Sequence, residues 1–531
     1  MADSNYLAPG VYVEEINGFP NAVVPVATAV PAFIGYTPQA QYAGKSYLNT
    51  PTKITSLADF KAIFMLPDSP PPADPTQQYS PHYYLVEQAE KPSSGEFMVI
   101  DSKYYSLLPD AHTLYYLYSS VRLFYQNGGG DAYIVAVGNY GAPSGKPLAA
   151  PGAPRVNPNV RLDQLQAGLA LLKNEQEPTL YICPDATLLS VEDNGTLMQS
   201  MLLQAETMQT CLCLFDVIGG RDPDPIYYTQ DIANFRDNTG SNGLKFGVSY
   251  YPFVNTTIIQ NSDVDFRNLF GGDTTRLEPL LNPATNSNPN AKQILDTIKS
   301  QASNPPSHPL SKSQLNSALI NASNTYKQIL ERLLKDANCL PPSGGMAGVY
   351  TVNDNERGVW NAPANTSIVG VVDLPIKLND AQQADLNVDA VSGKSINAIR
   401  FFNGQGILVW GARTLDGNSQ DWRYVPVRRT MTFIEQSVKL AARAYVFEPN
   451  DANTWAAVKN MISNFLNRLW QQGGLQGTTP SHAFSVEVGL GTTMTADDLL
   501  NGVMNVSVKV AVVHPAEFIV IAFQQQMAKS A

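Results

Sequence analysis

Charge is scarce in this chain. Asp, Glu, Lys and Arg make up 15% of its 531 residues, against roughly 25% in an average soluble domain. What charge there is leans acidic, with a formal net charge of -11, and the longest basic cluster is Arg428-Arg429 with Arg423 nearby. A nucleic-acid binder needs a basic face to displace counterions from phosphate, so this composition excludes that class. Hydrophobic residues stand at 44%, an ordinary level. Gln, Asn, Ser, Thr and Tyr therefore take the place of charge, and such a surface suits a protein that buries much of itself against copies of itself.

Cysteine and histidine are equally sparse. Cys183, Cys211, Cys213 and Cys339 are too few and too scattered for a disulfide framework. Cys211-x-Cys213 has no His pair at zinc-ligand spacing to complete a metal site, so all four read as buried thiols. His82, His112, His308, His482 and His514 each stand alone in a loop or beside a proline. There is no G-x-S-x-G elbow, phosphate loop or H-E-x-x-H helix. The expectation is no catalytic residue, no metal and no cofactor. Asp497-Asp498 follow Thr495 where a helix starts, which favours capping over acid/base work. Gly404-Gln405-Gly406 precedes an apolar run and reads as a turn feeding a strand, because a nucleotide fingerprint would open a helix.

Long apolar runs are missing too. None approaches the roughly 18 residues of a membrane span, and Met1-Ala2-Asp3-Ser4-Asn5 lacks the charged and apolar regions of a signal peptide. The expectation is a chain made and folded in the cytoplasm, with no membrane insertion.

What is present is a long, mixed pattern. The length predicts about two to four subdomains. Ala8 to Ile16 is extended by composition, with Pro9-Gly10 and then Val11, Tyr12, Val13, Glu14 and Ile16, and prolines at 20, 25 and 31 make a linker before Ala32-Phe33-Ile34-Gly35. The spacing of Leu114, Leu117, Val121 and Phe124 predicts a helix over 112–126 that ends at Asn127-Gly128-Gly129-Gly130. Strands follow at 132–137, 179–183, 211–217 and 244–250, alternating with helical stretches, which predicts an α/β middle domain. Residues 282–309 are rich in Asn, Ser and Pro and read as a surface excursion, with helices at 291–300 and 312–337.

The last third predicts helices over 431–447 and 453–472, the second with Trp455, Val458, Ile462, Phe465 and Leu469 on one stripe. Two strands close the chain. The first puts Val506, Val508, Val510 and Val512 on one face. The second, Glu517 to Phe523, includes Phe518, Ile519, Val520, Ile521 and Phe523 and is apolar on both faces. An uncovered strand of this kind is an aggregation hazard, so it pairs either within its own domain or with another subunit.

Several stretches, in order, resemble the contractile tail sheath family of phage tails, R-type bacteriocins and extracellular injection systems. They are Pro9-Gly10-Val11-Tyr12-Val13-Glu14-Glu15, Phe124 to Gly129 with Ala132-Tyr133-Ile134-Val135, Ala347-Gly348-Val349-Tyr350 and Asn353 to Asn365. The C-terminal ones are Asn397-Ala398-Ile399-Arg400, Val409 to Thr414, Asp421 to Tyr424, Val427-Arg428-Arg429, Phe447-Glu448-Pro449-Asn450 and Pro515-Ala516-Glu517-Phe518.

The resemblance implies a mixed α/β, multi-domain protomer: a discontinuous inner domain from both termini, an inserted middle domain, and extended strand arms at each end. The expected divisions are an N-terminal arm and linker (1–30), an N-terminal core part (31–137), inserted outer domains (138–365), a C-terminal sheath domain (366–513) and a C-terminal arm (514–531). It also implies many helically arranged copies in which the arms, Val11 to Ile16 and Phe518 to Phe523, extend a neighbour's sheet at Val506 to Val512. Further implied partners are an inner tube, baseplate and terminal cap proteins and related sheath chains. Arg428, Arg429, Lys459 and Arg468 are the basic candidates for the tube contact. A static self-assembling shell and an α/β hydrolase-like enzyme are the rival readings, the latter lacking a Ser, His and Asp set.

Overall fold

A computed structural model describes residues 22–66, 81–92, 97–222 and 225–520. The described chain forms two compact units. The larger holds residues 27–432 and 514–520, and the smaller holds 22–26 and 433–513.

The larger unit is built on one eight-stranded sheet. Its strands are β1 (Pro31–Thr37), β2 (Thr52–Ile54), β3 (Ala132–Asn139), β4 (Leu180–Ile182), β5 (Leu212–Asp216), β6 (Gly247–Tyr251), β7 (Asn397–Phe402) and β8 (Gly406–Trp410). The order is β8-β7-β6-β5-β4-β1-β3-β2. The six inner strands run parallel, and β2 and β8 close the edges antiparallel. Parallel strands are covered by helices on both faces and so lose the alternating pattern. Accordingly Pro31–Thr37, Leu212–Asp216 and Gly247–Tyr251 are buried at every position.

This sheet revises the expected divisions. β1 lies between β3 and β4, with Ala32 opposite both Tyr133 and Tyr181, so 31–137 and 138–365 share one core and are not separate bodies. β7 and β8 complete the same sheet through Tyr250 opposite Asn397, so 366–432 belongs with it too. Only 433–513 of the expected C-terminal domain stands apart.

A second apolar cluster in the larger unit gathers Tyr83 and Leu85 from an antiparallel sheet with Leu269, Leu295, Leu319, Tyr326 and Leu333. The expected surface excursion belongs to it, because the helix Pro289–Ser303 buries Ala291, Leu295 and Ile298. The helix expected over 312–337 is two, Lys312–Ala322 and Asn324–Ala337, with the Ser323 hydroxyl accepting from the Tyr326 amide to cap the second.

Helices α1 (Leu117–Gln126) and α2 (Ser343–Arg357) cross at glycines. A Cβ on Gly344 would stand 2.5 Å from the Ser120 carbonyl oxygen, and one on Gly348 2.5 Å from Asn127 Cβ. Two buried carboxylates tie these helix starts to the rest of the unit. Asp185 accepts from the amides of Tyr36, Tyr116 and Leu117 at 2.9, 2.6 and 3.2 Å. Asp216, the last residue of β5, accepts from the Ser343 amide at 2.9 Å and from its hydroxyl.

The chain passes between units inside α3 (Val425–Ala442), which starts six residues before the expected point. Pro426 is tolerated there because a first turn needs no amide donor. In the smaller unit α4 (Ala452–Gln471) is capped by Asp451 and buries Val458, Met461, Ile462, Phe465 and Leu469, close to the expected stripe. It packs on β9 (Phe484–Val488), which pairs antiparallel with β10 (Val506–Val510).

Candidate assembly site at the chain ends

The smaller unit's sheet stops at two strands. Val486 faces Val508 and Val488 faces Val506, and among the described residues neither β9 nor β10 has a third strand. Past β10 the chain folds against its own unit, the Ala511 amide donating to Ala483 O at 2.8 Å and Val512 bridging Leu475. The expected receiving residues therefore lie together: Val506, Val508 and Val510 half-buried, Val512 buried. A two-stranded sheet is marginal in water, and its outer edges keep amide and carbonyl groups without a ladder partner.

Val11, Tyr12, Val13, Glu14 and Ile16 lie outside the described residues, as do Ile521 and Phe523. The described part of the C-terminal arm, Phe518, Ile519 and Val520, forms no strand in the single chain. Those side chains are 71%, 79% and 92% exposed. Three consecutive large apolar side chains stand in solvent.

The residue just before them is firmly held. The Arg413 guanidinium, itself 3% exposed, donates from Nε to Glu517 Oε1 at 2.9 Å and from Nη2 to Oε2 at 2.6 Å. Asn387 Nδ2 donates to Oε1 at 2.8 Å and the Tyr424 hydroxyl to Oε2 at 3.1 Å. Burial pushes the Glu517 carboxyl up, but the bonds from Arg413 and Asn387 outweigh it and hold the group below the ordinary glutamate range. This grip escaped the reading of the sequence. Its signal is the pair of stretches Val409 to Thr414 and Pro515 to Phe518, whose charged members meet.

Arg428 and Arg429 require a correction. They are 4% and 5% exposed and are not surface cations. Arg429 donates to Asp354 Oδ1 and to Thr28 O, each at 2.8 Å, and lies 4.5 Å over the Tyr350 ring. Arg428 lies 4.4 Å from the Trp422 ring centre and 5.0 Å from that of Phe246. A planar guanidinium stacks on aromatic faces and pairs inside a protein where an ammonium would not. Lys459 and Arg468 are exposed on α4.

Other candidates for chemistry are occupied by structural bonds. All four cysteines are buried and free, as expected, and burial pushes the thiols of Cys211 and Cys339 up to about 12 and about 11. Ser343 bonds Asp216 and not a histidine. Thr495 and Asp498 form a capping box, as expected. Among the described residues no three His, Cys, Asp or Glu side chains gather as a metal ligand set, and no helix is long and apolar enough to cross a membrane.

An unfinished sheet and a tethered apolar chain end on one chain are the marks of an assembly protomer. Two family descriptions match the sequence: phage tail sheath protein central domain over residues 288–415, and phage tail sheath C-terminal domain over 418–526. Across 288–526 the chain thus matches the two domains by which phage tail sheath proteins are described.

Its relatives include the tail sheath protein of Vibrio phage KVP40, 28% identical over 153 residues that cover 28% of this chain and 22% of that protein. A putative prophage major tail sheath protein of Pseudomonas aeruginosa is 25% identical over 151 residues, covering 28% of this chain and 38% of the relative. The matched stretch thus spans well under half of either relative. Likeness to solved structures runs nearly end to end. A chain of the anti-feeding prophage helical sheath in the contracted state is 27% identical, with a TM-score of 0.57 over 98% of this chain and 99% of that one. A chain of the anti-feeding prophage baseplate is 28% identical, with a TM-score of 0.55 and the same coverage.

Proposed function

We propose that this chain is the subunit of a contractile sheath: many copies polymerise helically around an inner tube, and the sheath shortens to drive the tube through a target envelope. The observation that carries the reading is the exposed run Phe518-Ile519-Val520, which follows an anchored Glu517 on a chain whose two-stranded sheet β9-β10 has open edges. In this reading the arms, Val11 to Ile16 at one end and Phe518 to Phe523 at the other, add strands to the β9-β10 sheets of neighbours. Main-chain hydrogen bonds supply the affinity and alternate side chains the register. Repeated by a non-closing operation, that contact makes a tube. The anti-feeding prophage sheath in its contracted state supports the same reading.

Contraction then runs downhill from a kinetically trapped array through rigid-body rotation of subunits that stay linked by their arms. The role is structural and not enzymatic, and it needs neither nucleotide nor metal. Lys459 and Arg468 remain the basic candidates for the inner tube, while baseplate, cap and related sheath chains would meet the sheath at its ends and along its length. Such a chain is made and assembled in the cytoplasm.

Negative-stain electron microscopy tests the reading on three purified chains: full length, lacking residues 1–18, and lacking residues 518–531. Hollow helical tubes from the first, lost in both deletions, are expected. Tubes that persist in both would remove strand exchange, and soluble monomers from the full-length chain would remove self-assembly.

A further inference from the structure

Val512 is bonded inside the smaller unit through its bridge with Leu475, yet Glu517, five residues on, is bonded only within the larger unit. The C-terminal arm therefore starts from the larger unit, although the strand before it belongs to the smaller one. Four side chains make the starting point. Arg413, Asn387 and Tyr424 converge on the single carboxylate of Glu517, and the Tyr424 ring also meets His514 edge-on at 6.2 Å between ring centres.

The arrangement is stronger than a fold needs to tie down a terminal segment. The guanidinium is engaged in a two-pronged pair, both carboxylate oxygens have further donors, and Arg413 is buried, so screening is weak and geometry is fixed. Immediately beyond, Phe518, Ile519 and Val520 are among the most exposed large apolar side chains of the described residues. The transition from fixed to free falls between two adjacent residues.

We propose that Arg413, Asn387, Tyr424 and Glu517 form a clasp that positions the C-terminal arm for exchange with a second copy of this chain. The inference rests on the strand-exchange reading above and adds to it the element that sets where the donated strand begins and which unit bears the pull. A donated strand gains its ladder only in one register, and a one-residue slip turns every side chain to the wrong face. With Glu517 fixed, the arm enters with its register set. With Glu517 released, the arm loses its fixed starting point, the search for register widens, and tension in the arm passes back toward the smaller unit instead of the larger.

The test compares Glu517→Gln, Tyr424→Phe and a chain lacking residues 518–531, all in the full-length background, by the concentration at which tubes appear in sedimentation and by thermal unfolding. Tyr250→Phe, which removes a buried hydroxyl pair with Tyr350 at 2.8 Å far from the arm in sequence, controls for stability loss alone. Glu517→Gln is expected to raise the threshold about tenfold, Tyr424→Phe by less, and Tyr250→Phe not at all for a comparable fall in Tm. If Glu517→Gln fails to fold, the Tyr424→Phe and Tyr250→Phe comparison decides alone. Loss of tubes on deletion of 518–531 with an unchanged threshold in both clasp variants overturns the clasp and leaves strand exchange standing. Tubes formed by the deleted chain overturn strand exchange itself.

Discussion

Arg429 and Asp354 are 75 positions apart and both almost fully inaccessible, their side chains exposed by 5% and 3%. Burial disfavours charge on the guanidinium, but Asp354 more than restores it and holds Arg429 in its charged form. Removing one partner strands the other charge in a dry site, a loss of about 3–5 kcal/mol. Asp354→Ala should therefore unfold well below the wild type in urea, and the double variant with Arg429→Met should recover part of that loss. Titration gives a second test. Burial pushes Asp216 up to about 7 and Asp185 up to about 6, against about 3.9 for an unfolded aspartate. At these two sites the folded chain thus holds protons that the unfolded chain releases, and their contribution to stability falls as pH rises from about 4 to about 7. Asp216→Asn should remove about one proton's worth of that slope; an unchanged slope in pH-dependent unfolding would count against the assignment. What sequence reading recovered at this scale was local: the cysteines in apolar runs and the Thr495 cap need only neighbours. The pairs Arg413–Glu517 and Arg429–Asp354 need partners 104 and 75 positions away, and a basic doublet looks the same whether it faces water or stacks on Trp422.

Strands and helices were legible where one periodicity ran long enough. The runs at 179–183 and 211–217 hold the observed Leu180–Ile182 and Leu212–Asp216, because strands buried on both faces must be apolar throughout. The failures came where one side chain decides. Ser323 breaks a continuous helical pattern by capping the next helix, and Pro426 sits inside a first turn, where it permits helix instead of ending it. The α1–α2 crossing was hidden for another reason: the clearance that Gly344 and Gly348 supply has meaning only beside the partner helix. Gly348→Val should cost more than its helix propensity gains, about 1–3 kcal/mol from overpacking against Phe124 and Asn127. A fall in Tm with unchanged far-ultraviolet dichroism would locate the damage in the crossing and not in helix content.

At the scale of the molecule, the resemblance led to the right family and an inexact division, because β1, β3 and β7 come from three distant stretches and still share one sheet. Composition could not reveal that, since no stretch names the strands it pairs with. The same scale holds the strongest consequence of strand exchange. In that reading every subunit is both donor and receiver, so a chain lacking residues 518–531 can still accept a neighbour's arm while offering only its N-terminal one. Mixed with the full-length chain, it should join the growing end and leave the next position unsecured, so mean tube length should fall steeply at a small fraction of deleted chain. A chain lacking both residues 1–18 and 518–531 and carrying Val508→Asp in β10 can neither give nor receive and should leave tube length unchanged. Length distributions from electron microscopy of the two mixtures separate the cases. If both chains shorten tubes equally, the receiving strand lies elsewhere than β10; if neither does, the arms are not what joins one copy to the next.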